Sequence, residues 1–214
     1  MKARPVVIVL AAGHGSRFGG PGHKLGQPLG SSSVLGEVLR HAVASHLPVV
    51  VVTTDAMAEE ARRTIASRDV LILQGADGRE AATGAPTWGI GYSIAAGVAA
   101  RPDASGWLIL PADMPMVQAA TLAFVARHLD HHAVVYAQYQ GRRGHPVGFS
   151  SELYSELVSL QGDEGARRLV ARYPAHAVDV DDPGVLIDID TEADLNAARS
   201  AQASRGSSAL DSNR

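Results

Sequence analysis

The sequence predicts an α/β fold, a mostly parallel sheet with helices on both faces and an added antiparallel hairpin. Three observations carry that expectation. The runs Val6-Val7-Ile8-Val9-Leu10, Val49-Val50-Val51-Val52, Val70-Leu71-Ile72-Leu73 and Trp107-Leu108-Ile109-Leu110 are continuous rather than alternating, as strands covered on both faces are. Segments of helical period lie between them, and strand, helix, strand in that order means parallel pairing through right-handed crossovers. Beyond residue 133 the pattern becomes two apolar runs around a glycine-containing turn, an antiparallel signal.

Taken in order, the first strand runs from Val6 into a long glycine-rich loop. Val34, Leu35, Val38, Leu39 and Ala42 share one helical face ahead of the second strand, Val49 to Val52. Ala61 and Ile65 mark a helix before the third strand, Val70 to Leu73. Ser93 follows Gly89 and Gly91 and opens a helix as its cap. The fourth strand, Trp107 to Leu110, ends on Pro111, and Leu122, Val125 and Leu129 give the next helix. Ala133 to Ala137 and Pro146 to Phe149 flank the turn Gly141-Arg142-Arg143-Gly144. Leu153, Leu157 and Leu160 form another helix, ended by Gly162-Asp163-Glu164, which starts the one carrying Leu169 and Val170. Val185 to Ile189 reads as the final strand, before a helix opened by Asp190 or Thr191 with Asp194 at the capping-box position. Ser200 to Arg214 lacks large apolar residues and is expected to be a disordered tail, leaving residues 1–199 as one domain.

Composition narrows the chemistry. With 214 residues, 46% of them hydrophobic, the chain can bury a sizeable core, and the low aromatic content beside 22 glycines suits close packing of helices on a sheet. Nineteen basic residues against 22 acidic ones provide no excess positive charge for tracking nucleic acid. The absence of cysteine excludes disulfides, thiolate zinc sites and a catalytic thiol, and fits a cytoplasmic protein. The longest apolar N-terminal run, Val6 to Ala12, falls far short of the roughly 20 residues a membrane helix requires.

The most informative stretch is Leu10-Ala11-Ala12-Gly13-His14-Gly15-Ser16-Arg17-Phe18-Gly19-Gly20-Pro21-Gly22-His23-Lys24, directly after the first strand. In an open, Rossmann-like α/β sheet this edge binds ligands. Small residues let backbone N–H groups surround phosphate oxygens, and Arg17 and Lys24 add positive charge to the same anion. Two familiar phosphate motifs fail here. Lys24 stands between His23 and Leu25, so this is not a P-loop, and Phe18 occupies the third glycine position of a dinucleotide fingerprint. Ser16 lies in Gly-Ser-Arg rather than a nucleophile elbow, which argues against a serine hydrolase.

Leu10 to Lys24 resembles the L-A-A-G-x-S-x-R-x-G…K signature of nucleotidyltransferases that load a nucleoside monophosphate onto a phosphorylated acceptor. Within this MobA-like superfamily the chain is most similar to the molybdenum cofactor cytidylyltransferases and the molybdopterin guanylyltransferases, over most of residues 5–199. Further matching pieces are the Pro28 loop before Val34-Leu35, Gly91 to Gly97, Pro111-Ala112-Asp113-Met114-Pro115, Gly144-His145-Pro146-Val147, Gly162 to Arg167 and Asp188-Ile189-Asp190-Thr191. The resemblance implies a nucleotidyltransferase (GT-A-like) sheet and a nucleotide site of Leu10, Ala11, Ala12, Gly13, Gly15, Ser16, Arg17, Lys24, Ser93 and Asp113. Arg17, Lys24 and Asp113 are its expected catalytic residues.

Asp113 follows the fourth strand between prolines, at the same sheet edge, where a carboxylate suits Mg²⁺ or serves as a turn former; the resemblance makes it a metal ligand. Asp188 and Asp190 are both available as the second carboxylate. Asp188 is preferred, because capping accounts for Asp190 whereas Asp188 stands inside an apolar strand. Arg143, Gly144, His145 and Pro146 match the family's acceptor element, although an ordinary turn with solvated arginines would look alike. His131 and His132 lack metal-ligand spacing and are expected at the surface.

The resemblance thus implies Mg²⁺-dependent transfer of CMP from CTP to the terminal phosphate of molybdopterin, with pyrophosphate released. Leu-Ala-Ala-Gly at the strand end favours cytidine over the Leu-Ala-Gly-Gly of guanylyltransferases. GTP as donor, a sugar or polyol phosphate as acceptor, and a carrier that binds the cofactor without chemistry are the alternatives. A molybdoenzyme or its chaperone is the expected protein partner, and neither nucleic acid nor membrane is.

Overall fold

A computed structural model describes the backbone of residues 3–13, 18–20, 22–73 and 89–211, with side chains as far as residue 203. Its centre is a seven-stranded sheet in the order β5-β4-β1-β6-β8-β7-β9. β1 (Val6–Ala11) lies between β4 (Val49–Thr53) and β6 (Gly106–Pro111), parallel to both, and β5 (Val70–Ile72) extends this half beyond β4. β8 (Arg142–Ser150) runs antiparallel to β6 and to β7 (Val134–Tyr139), and β9 (Ala175–Asp179) closes the far edge parallel to β7. Two very short strands, β2 (Pro28–Leu29) and β3 (Ser32–Ser33), form a separate hairpin. The mostly parallel sheet and the added antiparallel hairpin are those expected.

Continuous apolar runs work here because each strand feeds two cores. Val7, Val9 and Ala11 of β1 join one buried cluster with α1 (Val34–Ala44), α2 (Asp55–Arg62) and α4 (Ala119–His128), while Val6 and Ile8 join another with α3 (Ile90–Ala99) and α5 (Tyr154–Val158). Alternate side chains point to opposite faces, so a strand with helices on both sides has no polar face to show. Gly97 sets the distance between α3 and the sheet: a Cβ there would lie 2.5 Å from Cγ2 of Ile8. The first helix is capped by Ser33, whose Oγ accepts from the Gly36 N–H at 3.0 Å.

The structure departs from the expectations in five places. The hairpin turn is not residues 141–144 but Gln140-Gly141, both at positive φ, with Arg142 and Arg143 already inside β8; two left-handed residues match the right-handed twist of the flanking strands. β9 was not anticipated, being a short edge strand, Ala-His-Ala-Val-Asp, with mostly half-buried side chains. Val185 to Ile189 is not a strand: residues 183–186 make a 3-10 turn, started by Pro183 and by Asp182, whose side chain accepts from the Gly184 N–H. Val185 and Ile189 are nonetheless fully buried, which accounts for the strand-like run.

Ser93 is not the cap of α3. Gly89 holds that position, and Ser93 is a buried residue of the first turn. Finally, α6 (Glu192–Asp211) runs through most of the expected tail, because alanine, glutamine and arginine carry a helix onward once it has started. Gln202 reaches Glu37 at 3.4 Å. Among the described residues no helix is long and apolar enough to cross a membrane.

Candidate active site

The site forms where the C-terminal ends of β1 and β6 meet. The Ala112 N–H donates to the Leu10 carbonyl at 3.0 Å, carrying the pairing one residue past β6 and setting Asp113 beside the start of the glycine loop. Ala11 is buried, Ala12 half-buried and Gly13 exposed. Gly15, Ser16 and Arg17, three of the expected phosphate ligands, lie outside the described residues. His23 clasps the loop: its Nδ1 accepts from the Leu25 N–H at 3.2 Å, so Nε2 carries the proton and donates to the Gly13 carbonyl at 3.1 Å. Sequence reading passed over this histidine, since bonds from a ring to backbone groups leave no side-chain pattern.

Lys24 follows in a single 3-10 turn, residues 24–26, and its side chain is 10% exposed. The ammonium lies 2.6 Å from Oδ2 of Asp113 and 3.0 Å from Oδ1 of Asp190. Burial works to lower the Lys24 pKa, but the two carboxylates outweigh it and hold the amine above its ordinary value. Asp190 therefore does not cap the last helix. That duty belongs to Thr191 and Asp194, which exchange hydrogen bonds as a capping box at 2.7 and 3.2 Å.

The preference for Asp188 over Asp190 loses its basis, because Asp188 is an exposed residue outside any strand. Both carboxylates are nevertheless brought to this edge, since the Ile189 N–H between them donates to the Asp113 carbonyl at 2.8 Å. Asp113 and Asp190, each within 3.0 Å of the same ammonium, are two carboxylates that could hold a hard cation. Among the described residues no group of three or more His, Asp or Glu is arranged to hold a metal.

Beside these carboxylates opens a cavity of about 480 Å³, walled by Arg143 and His145 of β8 and by residues 163–167, over a floor that includes Ile94, Ile109 and Phe149. Gly144 makes the wall possible: a Cβ would lie 2.2 Å from the Val185 carbonyl, so β8 packs directly on the 183–186 turn. Arg143 stacks its guanidinium 4.8 Å over the Tyr136 ring. The His145–Pro146 peptide is cis. Nδ1 of His145 is buried without a hydrogen-bond partner among the described residues. Burial first, against the opposing Ile109 carbonyl and Asp113 charge, keeps this imidazole below its usual pKa and so neutral near pH 7. An apolar floor, an uncharged ring with an unmatched nitrogen and a rim that sets Arg143 and Arg167 beside Asp163 and Glu164 suit a flat, polar-edged molecule.

One further cluster escaped the sequence reading. His132 stacks on His176 of β9 at 3.8 Å, and His128 meets the same ring edge-on at 5.5 Å. Their grouping depends on β9, which was not foreseen. Partial burial and then the neighbouring imidazoles hold His128 and His132 below their ordinary pKa. The unfolded chain thus takes up protons more readily than the folded one. Stability is full above about pH 6.5 and is lost as pH falls through the depressed folded values. The melting temperature is expected to drop as pH falls below about 6.5, and His176→Asn to flatten that drop; an unchanged slope in the variant would rule the cluster out as its source.

Comparison with known proteins gives a consistent picture. The model of the MobA-like NTP transferase domain matches residues 7–178. The purine catabolism protein PucB of Bacillus subtilis (strain 168) is 38% identical over 119 residues, 53% of this chain and 57% of PucB, so the matched part spans little more than half of that relative's length. Rv0371c of Mycobacterium tuberculosis H37Rv shares 26% identity at a TM-score of 0.74, covering 94% of this chain and 99% of its own. The same protein is known in complex with manganese, at a TM-score of 0.70, 26% identity, and coverage of 92% and 98%. A nucleotidyl transferase from Methanothermobacter thermautotrophicus has the same fold at a TM-score of 0.71, 23% identity, and coverage of 92% and 97%.

Proposed function

The chain belongs to the family of MobA-like NTP transferase domains and is a nucleotidyltransferase, and from that premise we propose that it transfers CMP from CTP to the terminal phosphate of molybdopterin, forming molybdopterin cytosine dinucleotide and pyrophosphate. The observation that carries the reading is the convergence of Lys24, Asp113 and Asp190 at the end of the strand that carries Leu10-Ala11-Ala12-Gly13, next to a cavity lined by Arg143, His145 and Arg167.

In the reaction, an oxygen of the acceptor's phosphate attacks the α-phosphorus of CTP in line, and the bond to the β-phosphate's bridging oxygen breaks. The nucleophile is already an anion, so no strong general base is needed; the protein aligns two anions and neutralises their charge. Glycine-loop amides, Ser16, Arg17 and Lys24 hold the triphosphate, and Ser93 belongs to the nucleotide half of the site. Arg143, Gly144, His145 and Pro146 receive the acceptor. Asp113 and Asp190 fit a hard divalent cation, and the manganese complex of Rv0371c is compatible with one. When bound, Mg²⁺ would supply Lewis-acid neutralisation of the phosphoryl oxygens. A molybdoenzyme or its chaperone receives the product.

Pyrophosphate release with Mg²⁺ and molybdopterin, compared across CTP, GTP and ATP, tests this. Release with CTP is expected. Equal or faster release with GTP would overturn the base assignment in favour of guanylyl transfer, and silence with all three nucleotides would overturn the acceptor assignment.

A further inference from the structure

We propose that Lys24 is an internal counter-ion that competes with the divalent cation for Asp113 and Asp190, and that it leaves them only when nucleotide phosphates take over its charge. The inference rests on the reading of these two aspartates as the metal pair and assigns Lys24 a position in the empty enzyme distinct from its position on the triphosphate.

The geometry leaves little room for both cations. The ammonium contacts one oxygen of each carboxylate, at 2.6 and 3.0 Å, and the carboxylates cannot drift apart freely because the Ile189 N–H is bonded to the Asp113 carbonyl at 2.8 Å. Lys24 is held from its own side as well. Its carbonyl accepts from the Gln27 N–H at 3.2 Å, and Leu25 beside it is buried. The ammonium offsets one unit of the negative charge of the two aspartates, and that unit returns once it swings away. A divalent cation arriving alone meets the weaker field and a like charge within a few ångströms; one arriving with nucleotide brings phosphates that draw the ammonium off.

The residue type fits this task. The chain has 17 arginines but only two lysines, Lys2 and Lys24. A guanidinium would clamp a carboxylate through its planar fork, whereas an ammonium is a compact point charge on a flexible stem that can move between neighbouring anions. The site therefore trades a monovalent charge for a divalent one when donor nucleotide binds, and metal is held tightly only in its presence.

The test is Mn²⁺ binding to the nucleotide-free full chain, read from the electron paramagnetic resonance signal of unbound Mn²⁺, with circular dichroism as the check on folding. Lys24→Met is expected to bind Mn²⁺ at least about tenfold more tightly than wild type, and Lys24→Arg no more tightly. Equal or weaker binding by folded Lys24→Met overturns the proposal. If that variant does not fold, wild-type protein with isotope-labelled lysine decides the matter, since only two ammonium signals arise. The Lys24 signal is expected to move on addition of Mg²⁺ with CTP, and a signal that stays in place overturns the proposal. The pyrophosphate assay keeps the two readings apart. Turnover with unchanged Mn²⁺ affinity removes the competition alone, whereas tighter Mn²⁺ binding without turnover removes the assigned reaction and leaves the competition standing.

Discussion

Replacing Asp113 by Ala is expected to slow pyrophosphate release by about a thousandfold or more while the protein stays folded. The side chain is 22% exposed and its structural neighbour Lys24 keeps Asp190 as a partner, so the loss falls on charge stabilisation at the reacting phosphates rather than on packing. Asp113→Asn keeps the shape and removes the charge, and should lose nearly as much. Asp190→Ala should follow Asp113→Ala, with Asp188→Ala milder, because only Asp190 shares Lys24 with Asp113. Steady-state release beside a thermal melt checks all four. Near-native turnover in folded Asp113→Ala would sink its assignment, and a larger loss at Asp188 than at Asp190 would return the second carboxylate to Asp188.

Asp182→Ala is expected to cost about 3 kcal/mol, because a buried carboxylate that satisfies several donors disappears and leaves them unpaired. Asp182 is 2% exposed and accepts from the Gln118 N–H at 2.9 Å, the Thr121 hydroxyl at 2.7 Å and the Gly184 N–H at 3.0 Å. It ties the start of α4 to the 183–186 turn and so supports the segment that delivers Asp188 and Asp190 to the site. For a chain of this size such a loss lowers the melting temperature by about 6 to 12 °C. Asp182→Asn retains acceptor oxygen but not charge and should recover part of it. A melting temperature within a degree or so of wild type in Asp182→Ala would show that water replaces the carboxylate without penalty.

The strands of the parallel half were legible because helices on both faces leave no polar positions in Val6–Leu10, Val49–Val52 or Trp107–Leu110. The place of Asp113 at the sheet edge was legible because it directly follows the fourth strand between prolines, whereas its role as a metal ligand came from the resemblance alone. Elements whose character depends on a partner far along the chain were not. β9 is an edge strand recognisable only by its pairing with β7, and its absence from the sequence reading hid the His128, His132 and His176 cluster. Val185 and Ile189 are buried as strand residues would be, yet the backbone between them follows the turn that Asp182 and Pro183 start.

By itself the sequence determined the sheet class, the strand-end glycine loop and the residue types able to handle phosphate and metal, since periodicity, glycine content and charge are local properties. The tertiary structure alone decided that Asp190 rather than Asp188 meets Asp113 across the Lys24 ammonium, and how the hairpin and residues 163–167 enclose one cavity. Those depend on distances between residues up to 166 positions apart in the chain, which neither spacing nor composition encodes.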